Sequence, residues 1–106
     1  MDFIPKITAV SYLNTIPFVY GLKHADNLRA ELTLAPPADC ARNFIEGKAD
    51  IALLPAAVVP TLPDAHIITD YCIGAVGAVR TVTVMSNHPI NDVKRIWLDA
   101  HSRTSV

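Results

Sequence analysis

The chain has 106 residues, 51% of them apolar and 18% charged, with nine Lys and Arg against ten Asp and Glu. That is one domain's worth of sequence with enough apolar material for a core. A net charge of −1, no Lys/Arg run and seven scattered aromatics exclude a polyanion binder, and the apolar content excludes a disordered chain.

No basic stretch followed by an apolar run opens the chain, so no secretion signal is read and a cytoplasmic location is expected. The longest apolar run, Ile51 to Pro60, is about half a membrane span and carries prolines. Cys40 and Cys72 both lie in apolar contexts and read as packed free thiols; neither a C-x-x-C pair nor a Cys/His cluster suggests a metal.

Lys6 to Val10 is a β-branched run that predicts a first strand, parallel and buried. A helix is expected from Thr15 to Leu22, with Pro17 in its first turn and Ile16, Val19 and Tyr20 on its apolar face. Ala30 to Leu34 alternates and predicts a second strand, which Pro36-Pro37 ends. A second helix is expected from Ala38 to Glu46, with Cys40, Ala41, Phe44 and Ile45 at helical spacing and Gly47 just past its end. Ala49 to Pro55 reads as a buried third strand, and Pro55 to Pro60 as a short helical turn. Further strands are expected at Tyr71–Gly74, Val79–Met85 and Ile96–Leu98, with Val79–Met85 carrying the strongest strand signal of the chain. Asn91 to Lys94 reads as a short helical segment. The β-α-β-α-β order predicts an α/β fold with mostly parallel pairing.

Three polar stretches follow predicted strands. In open α/β sheets, ligands bind beyond the carboxyl ends of strands, where helix N-termini offer free N–H groups. Ser11, Asn14 and Thr15 follow the first strand; the plainer reading is helix capping. Ser86 follows Val79–Met85; the plainer reading is a turn before Pro89. Ser102, Arg103, Thr104 and Ser105 follow the last strand and would cradle a carboxylate or phosphate, against the plainer reading of an N-cap beside a solvated Arg. Gly74-Ala75-Val76-Gly77 lacks the spacing of a dinucleotide fingerprint and reads as a bend. His24, His66, His88 and His101 sit in polar contexts without metal-ligand spacing and read as surface residues. Asp50 and Asp70 flank strands as turn residues or sheet-edge partners.

Taken in order, the stretches resemble a known family. Val10-Ser11-Tyr12-Leu13-Asn14-Thr15-Ile16-Pro17-Phe18, Gly47 through Pro55, Asp70 through Ala75, and Asp99 through Val106 are similar to the chorismate dehydratases of the futalosine route to menaquinone. The likeness covers essentially the whole chain. A related branch cyclises a later intermediate, but its opening motif differs from Ser-Tyr-Leu-Asn-Thr.

The resemblance implies a lobe of type-2 periplasmic-binding-protein-like fold, with residues 1–98 as the N-terminal α/β lobe and 99–106 beginning a crossover. Family members are more than twice this long, so the expectation is one lobe of a two-lobed enzyme, with weak or no turnover by itself. The implied activity is a hydro-lyase reaction, chorismate losing water to give 3-[(1-carboxyvinyl)oxy]benzoate. By position Asn14 and Ser86 would be catalytic, and Ser11, Thr15, Ser102, Arg103, Thr104 and Ser105 would bind substrate. The chemistry requires no metal or organic cofactor. Chorismate is the expected partner, with no nucleic acid and no membrane, and an isolated lobe is expected to self-associate. The competing expectation is a non-catalytic module of solute-binding-protein type that captures a small anion.

Overall fold

The computed structural model describes residues 3–100. Three parallel strands form its sheet: β1 (Lys6–Val10), β2 (Glu31–Ala35) and β3 (Ile51–Ala52), in the order β2-β1-β3. Helix α1 (Ile16–His24) joins β1 to β2, and α2 (Pro37–Ile45) joins β2 to β3. Lys6 to Val10 pair in step with Glu31 to Ala35, and Ile7 and Thr8 face Ile51 and Ala52. The α/β class and the parallel pairing are as the sequence predicts.

β1 is central because both its faces are apolar enough to be covered: Ile7, Thr8 and Ala9 are all buried. The Thr8 hydroxyl, inside this core, donates to the Cys40 Sγ of α2 at 3.5 Å, and that thiol donates to the Ala35 carbonyl at 3.4 Å. Asp50 is a sheet-edge partner: its Oδ2 accepts the Lys6 amide at 2.8 Å, clamping the start of β3 to the start of β1.

α2 ends where Gly47 predicts. Gly47 has φ +74, its amide donates to the Phe44 carbonyl at 3.1 Å, and the Lys48 amide donates to Asn43 at 2.8 Å. These two reversed bonds satisfy carbonyls the helix leaves open, and the left-handed φ they need favours glycine.

Several expectations are corrected. Tyr71–Gly74, Val79–Met85 and Ile96–Leu98 form no strand, and most of residues 62–100 is extended or turning chain with exposed side chains. A strand exists only when its N–H and C=O groups meet a neighbour, and β-branched composition cannot supply one. The third strand is shorter than Ala49–Pro55, and Asn91–Lys94 reduces to a 3-10 turn at Ile90–Asp92. A 3-10 turn at Ala56–Thr61 does match the short helical turn expected there. The face of α1 is rotated: Ile16 and Tyr20 are exposed, while Phe18, Val19 and Leu22 are half-buried. Cys40 is a packed free thiol as expected, but Cys72 is exposed. The radius of gyration is accordingly 16.8 Å, against about 13 Å for a compact chain of this length.

Candidate functional site

The strand order locates the site. From β1 the chain crosses through α1 to one neighbour, and from β2 it crosses back through α2 to the other, so the connections diverge at the carboxyl ends of β1 and β3. Such a divergence is where open α/β sheets bind ligands. Two segments border it: Ser11 to Thr15 after β1, and Leu53 to Pro55 after β3.

Ser11 is held there through its backbone, its amide donating to the Ala35 carbonyl at 2.9 Å. The chain then makes a 3-10 turn at Leu13–Thr15 before α1 begins. Pro17 lies in the first turn of α1, where its missing N–H costs nothing. No side chain caps either helix start, and no acidic residue occupies the first turn of either. The plain capping role of Ser11, Asn14 and Thr15 is therefore not what the structure shows. Among the described residues the amides of Leu13 and Asn14 have no carbonyl partner, whereas the Thr15 amide donates to Tyr12 at 3.1 Å.

The side chains divide into two kinds. Ser11 and Asn14 are exposed. Thr15 is fully buried, and its Oγ1 donates to Asn14 Oδ1 at 3.4 Å. That bond engages the amide oxygen of Asn14, an exposed residue, and leaves its NH2 as an available donor. An uncapped helix start, the Leu13 and Asn14 amides, a serine hydroxyl and the Asn14 NH2 make a donor-rich corner suited to an anion or a carbonyl oxygen.

Ser86 lies in a turn of its own. Its Oγ accepts the His88 amide at 3.0 Å within its own turn, and no hydrogen bond ties it to the β1 turn. Ser102, Arg103, Thr104, Ser105 and His101 lie outside the described residues. His66 and His88 are exposed; His24 is exposed too, with Nδ1 2.9 Å from the Tyr20 carbonyl and its ring stacked on Tyr20. Among the described residues no group of three or more His, Cys, Asp or Glu is placed to hold a metal, and no helix is long and apolar enough to cross a membrane.

A concavity of the surface lies elsewhere. A groove of about 360 Å³ at the amino ends of β1 and β2 is lined by Ile7, Leu22, Leu28 and Leu32 together with Lys23 and Arg29. It is the gap left where α1 stands away from the sheet. Sequence reasoning missed it, because it depends on how α1 leans and not on any residue pattern.

A family model described as menaquinone biosynthesis matches residues 5–106. The chain belongs to that family. No curated protein and no solved structure matches it. The match takes in every motif stretch that carried the resemblance, from Val10–Phe18 onward, and gives this menaquinone-biosynthesis chain its biological setting.

Proposed function

We propose that the chain is the N-terminal lobe of a chorismate dehydratase, converting chorismate to 3-[(1-carboxyvinyl)oxy]benzoate and water in the futalosine route. One observation carries the reading: in a menaquinone-biosynthesis chain, the polar residues at the switch point of the sheet cap neither helix start, and Ser11 and Asn14 are exposed there. Residues 1–98 make the lobe, of type-2 periplasmic-binding-protein kind, and 99–106 begin the crossover. The strand order β2-β1-β3 is compatible with such a lobe. The reaction runs in the cytoplasm.

The chemistry asks for three things: two carboxylates held, one ring proton removed, one hydroxyl released as water. Aromatisation of the ring drives the loss. The corner at Ser11 to Asn14 supplies donors and no base, so its part is to bind and polarise. Asn14 donates its NH2 to a ring substituent, with Thr15 acting through Asn14 by fixing its amide. Ser11 lines the cleft. Ser86 bonds a carboxylate or the departing hydroxyl, and Ser102, Arg103, Thr104 and Ser105 meet a carboxylate. The proton goes to a base on a second lobe or to the substrate's own side-chain carboxylate. Closure of two lobes would exclude water and strengthen each of these contacts.

The test is a 15N NMR titration with chorismate. The amides of Leu13, Asn14 and Thr15 are expected to shift, and Asn14→Ala to abolish the response. A chain whose β1 turn is unmoved by chorismate, or an Asn14→Ala variant that titrates like the parent, refutes the reading.

A further inference from the structure

The groove at the amino ends of β1 and β2 plays no part in the function proposed above. Its volume of about 360 Å³ falls within the range of small-molecule sites, about 300–1,000 Å³. Its wall is aliphatic, and the fold leaves part of that wall open: Ile4 is 46% and Leu28 36% exposed. The backbone holds the groove in shape. The Leu28 amide closes the turn after α1 on the Ala25 carbonyl at 3.2 Å, and the Glu31 amide ties the start of β2 to the Pro5 carbonyl at 2.9 Å. Lys23 and Arg29 are the charged residues that line it, and no acid does. The described ion pairs are Asp39 with Arg42 and Glu46 with Lys48, so neither groove cation is neutralised by a partner among the described residues. Lys23 has a separate reason for its place, since a cation in the last turn of α1 complements the helix dipole. Arg29 has no such reason, because it lies in the chain between α1 and β2.

We propose that this groove is a second binding site, for a small carboxylate with an aliphatic body. The body lies along Ile7, Leu22, Leu28 and Leu32, and the carboxylate meets Arg29 and Lys23. Two unpaired cations beside an apolar trough fit a ligand of opposite charge with an apolar tail, and they repel a cationic one. The planar fork of an arginine matches a carboxylate, which it can hold through two parallel bonds. A phosphate is better served by the N–H groups of a helix start. The helix end that borders this groove is the carbonyl end of α1, so side-chain cations are its donors. The length of β1 separates the groove from the donor corner, which follows the other end of that strand. The proposal therefore stands apart from the chorismate reading.

The experiment is a titration of the whole chain with octanoate, octanol and octylammonium, one alkyl body under three heads, followed by 13C-methyl and 15N NMR. Octanoate is expected to shift the methyls of Ile7, Leu22, Leu28 and Leu32 and to bind about tenfold tighter than octanol, the margin of a charge-assisted pair. Octylammonium binds more weakly than octanol. Hexanoate binds more weakly than octanoate, by up to about fourfold for each methylene lost. Arg29→Gln brings octanoate down toward octanol and leaves octanol unmoved; Arg29 is exposed, so the substitution spares the fold. Equal affinity for octanoate and octanol overturns the proposal, because a bare apolar patch then explains the binding. Shifts confined to residues 62–100 overturn it too, as does an Arg29→Gln variant that titrates with octanoate like the parent. Chorismate is scored on the amides of Leu13 to Thr15, so either idea can fail without the other.

Discussion

Two Gly→Ala substitutions are expected to move stability in opposite directions. At both Gly21 and Gly47 an added Cβ would meet nothing within 4 Å, so no packing enters and the backbone alone decides. Gly47 sits at φ +74. A Cβ in the left-handed region costs about 1–2 kcal/mol, and the stiffer unfolded chain returns about 0.4–1 kcal/mol, so Gly47→Ala destabilises by about 1 kcal/mol. Gly21 lies inside α1, where replacing glycine by alanine gains about 0.5–1 kcal/mol. Urea unfolding followed by far-ultraviolet circular dichroism reads both. With a slope of about 1 kcal/mol per molar, Gly47→Ala lowers the midpoint by about 1 M and Gly21→Ala raises it by about 0.5–1 M. The double variant returns close to the parent, because the sites share no partner. Two shifts of the same sign, or an unmoved Gly47→Ala, would refute the assignment of these backbone states.

The remaining predictions concern the thiols and the site. Burial pushes the Cys40 thiol above its ordinary value of 9.0, partly offset by the Thr8 hydroxyl bond. The unfolded chain therefore releases this proton first, so stability falls as pH rises past 9.0, and a Cys40→Ala variant loses that slope when unfolding is followed against pH. Cys72 reacts with a thiol reagent in the folded chain, whereas Cys40 reacts only after denaturant is added. In a protein carrying both lobes, Asn14→Ala lowers chorismate dehydration by about 100-fold or more, measured by the absorbance of the aromatic product. Thr15→Val is expected to lower it less, and Thr15→Ser to restore it, because the hydroxyl acts through the Asn14 amide. Ser86→Ala lowers turnover while leaving the urea midpoint unchanged, since its bond is an exposed local turn.

The first half of the chain was readable from its residues. Lys6–Val10 is a strand with the bounds its β-branched run predicts, and Gly47 ends α2 through the φ that glycine permits. Those are local effects: propensity, periodicity and a single dihedral. Val79–Met85 shows where such reading stops, because alternation tells which residues suit a sheet and says nothing about which edge receives them. The rotation of α1 has a similar origin. Of the expected stripe Ile16, Val19 and Tyr20, only Val19 is half-buried; Phe18 and Leu22 are half-buried in place of the other two. At the candidate site, the position of Ser11 and Asn14 just after β1 was legible in the sequence. The burial of Thr15 was not legible, because capping, lining and supporting roles all use the same small polar residues.

Helix α1 buries none of its residues and packs chiefly on the turn that precedes it. A helix so weakly anchored opens at little cost, well below global unfolding. The corner of donors is attached to its N-terminus, so a molecule gripping that corner must also still the helix. Some intrinsic affinity is spent on that ordering, and slower amide exchange through Val19–Leu22 becomes a reporter of occupancy more than a turn away from any contact.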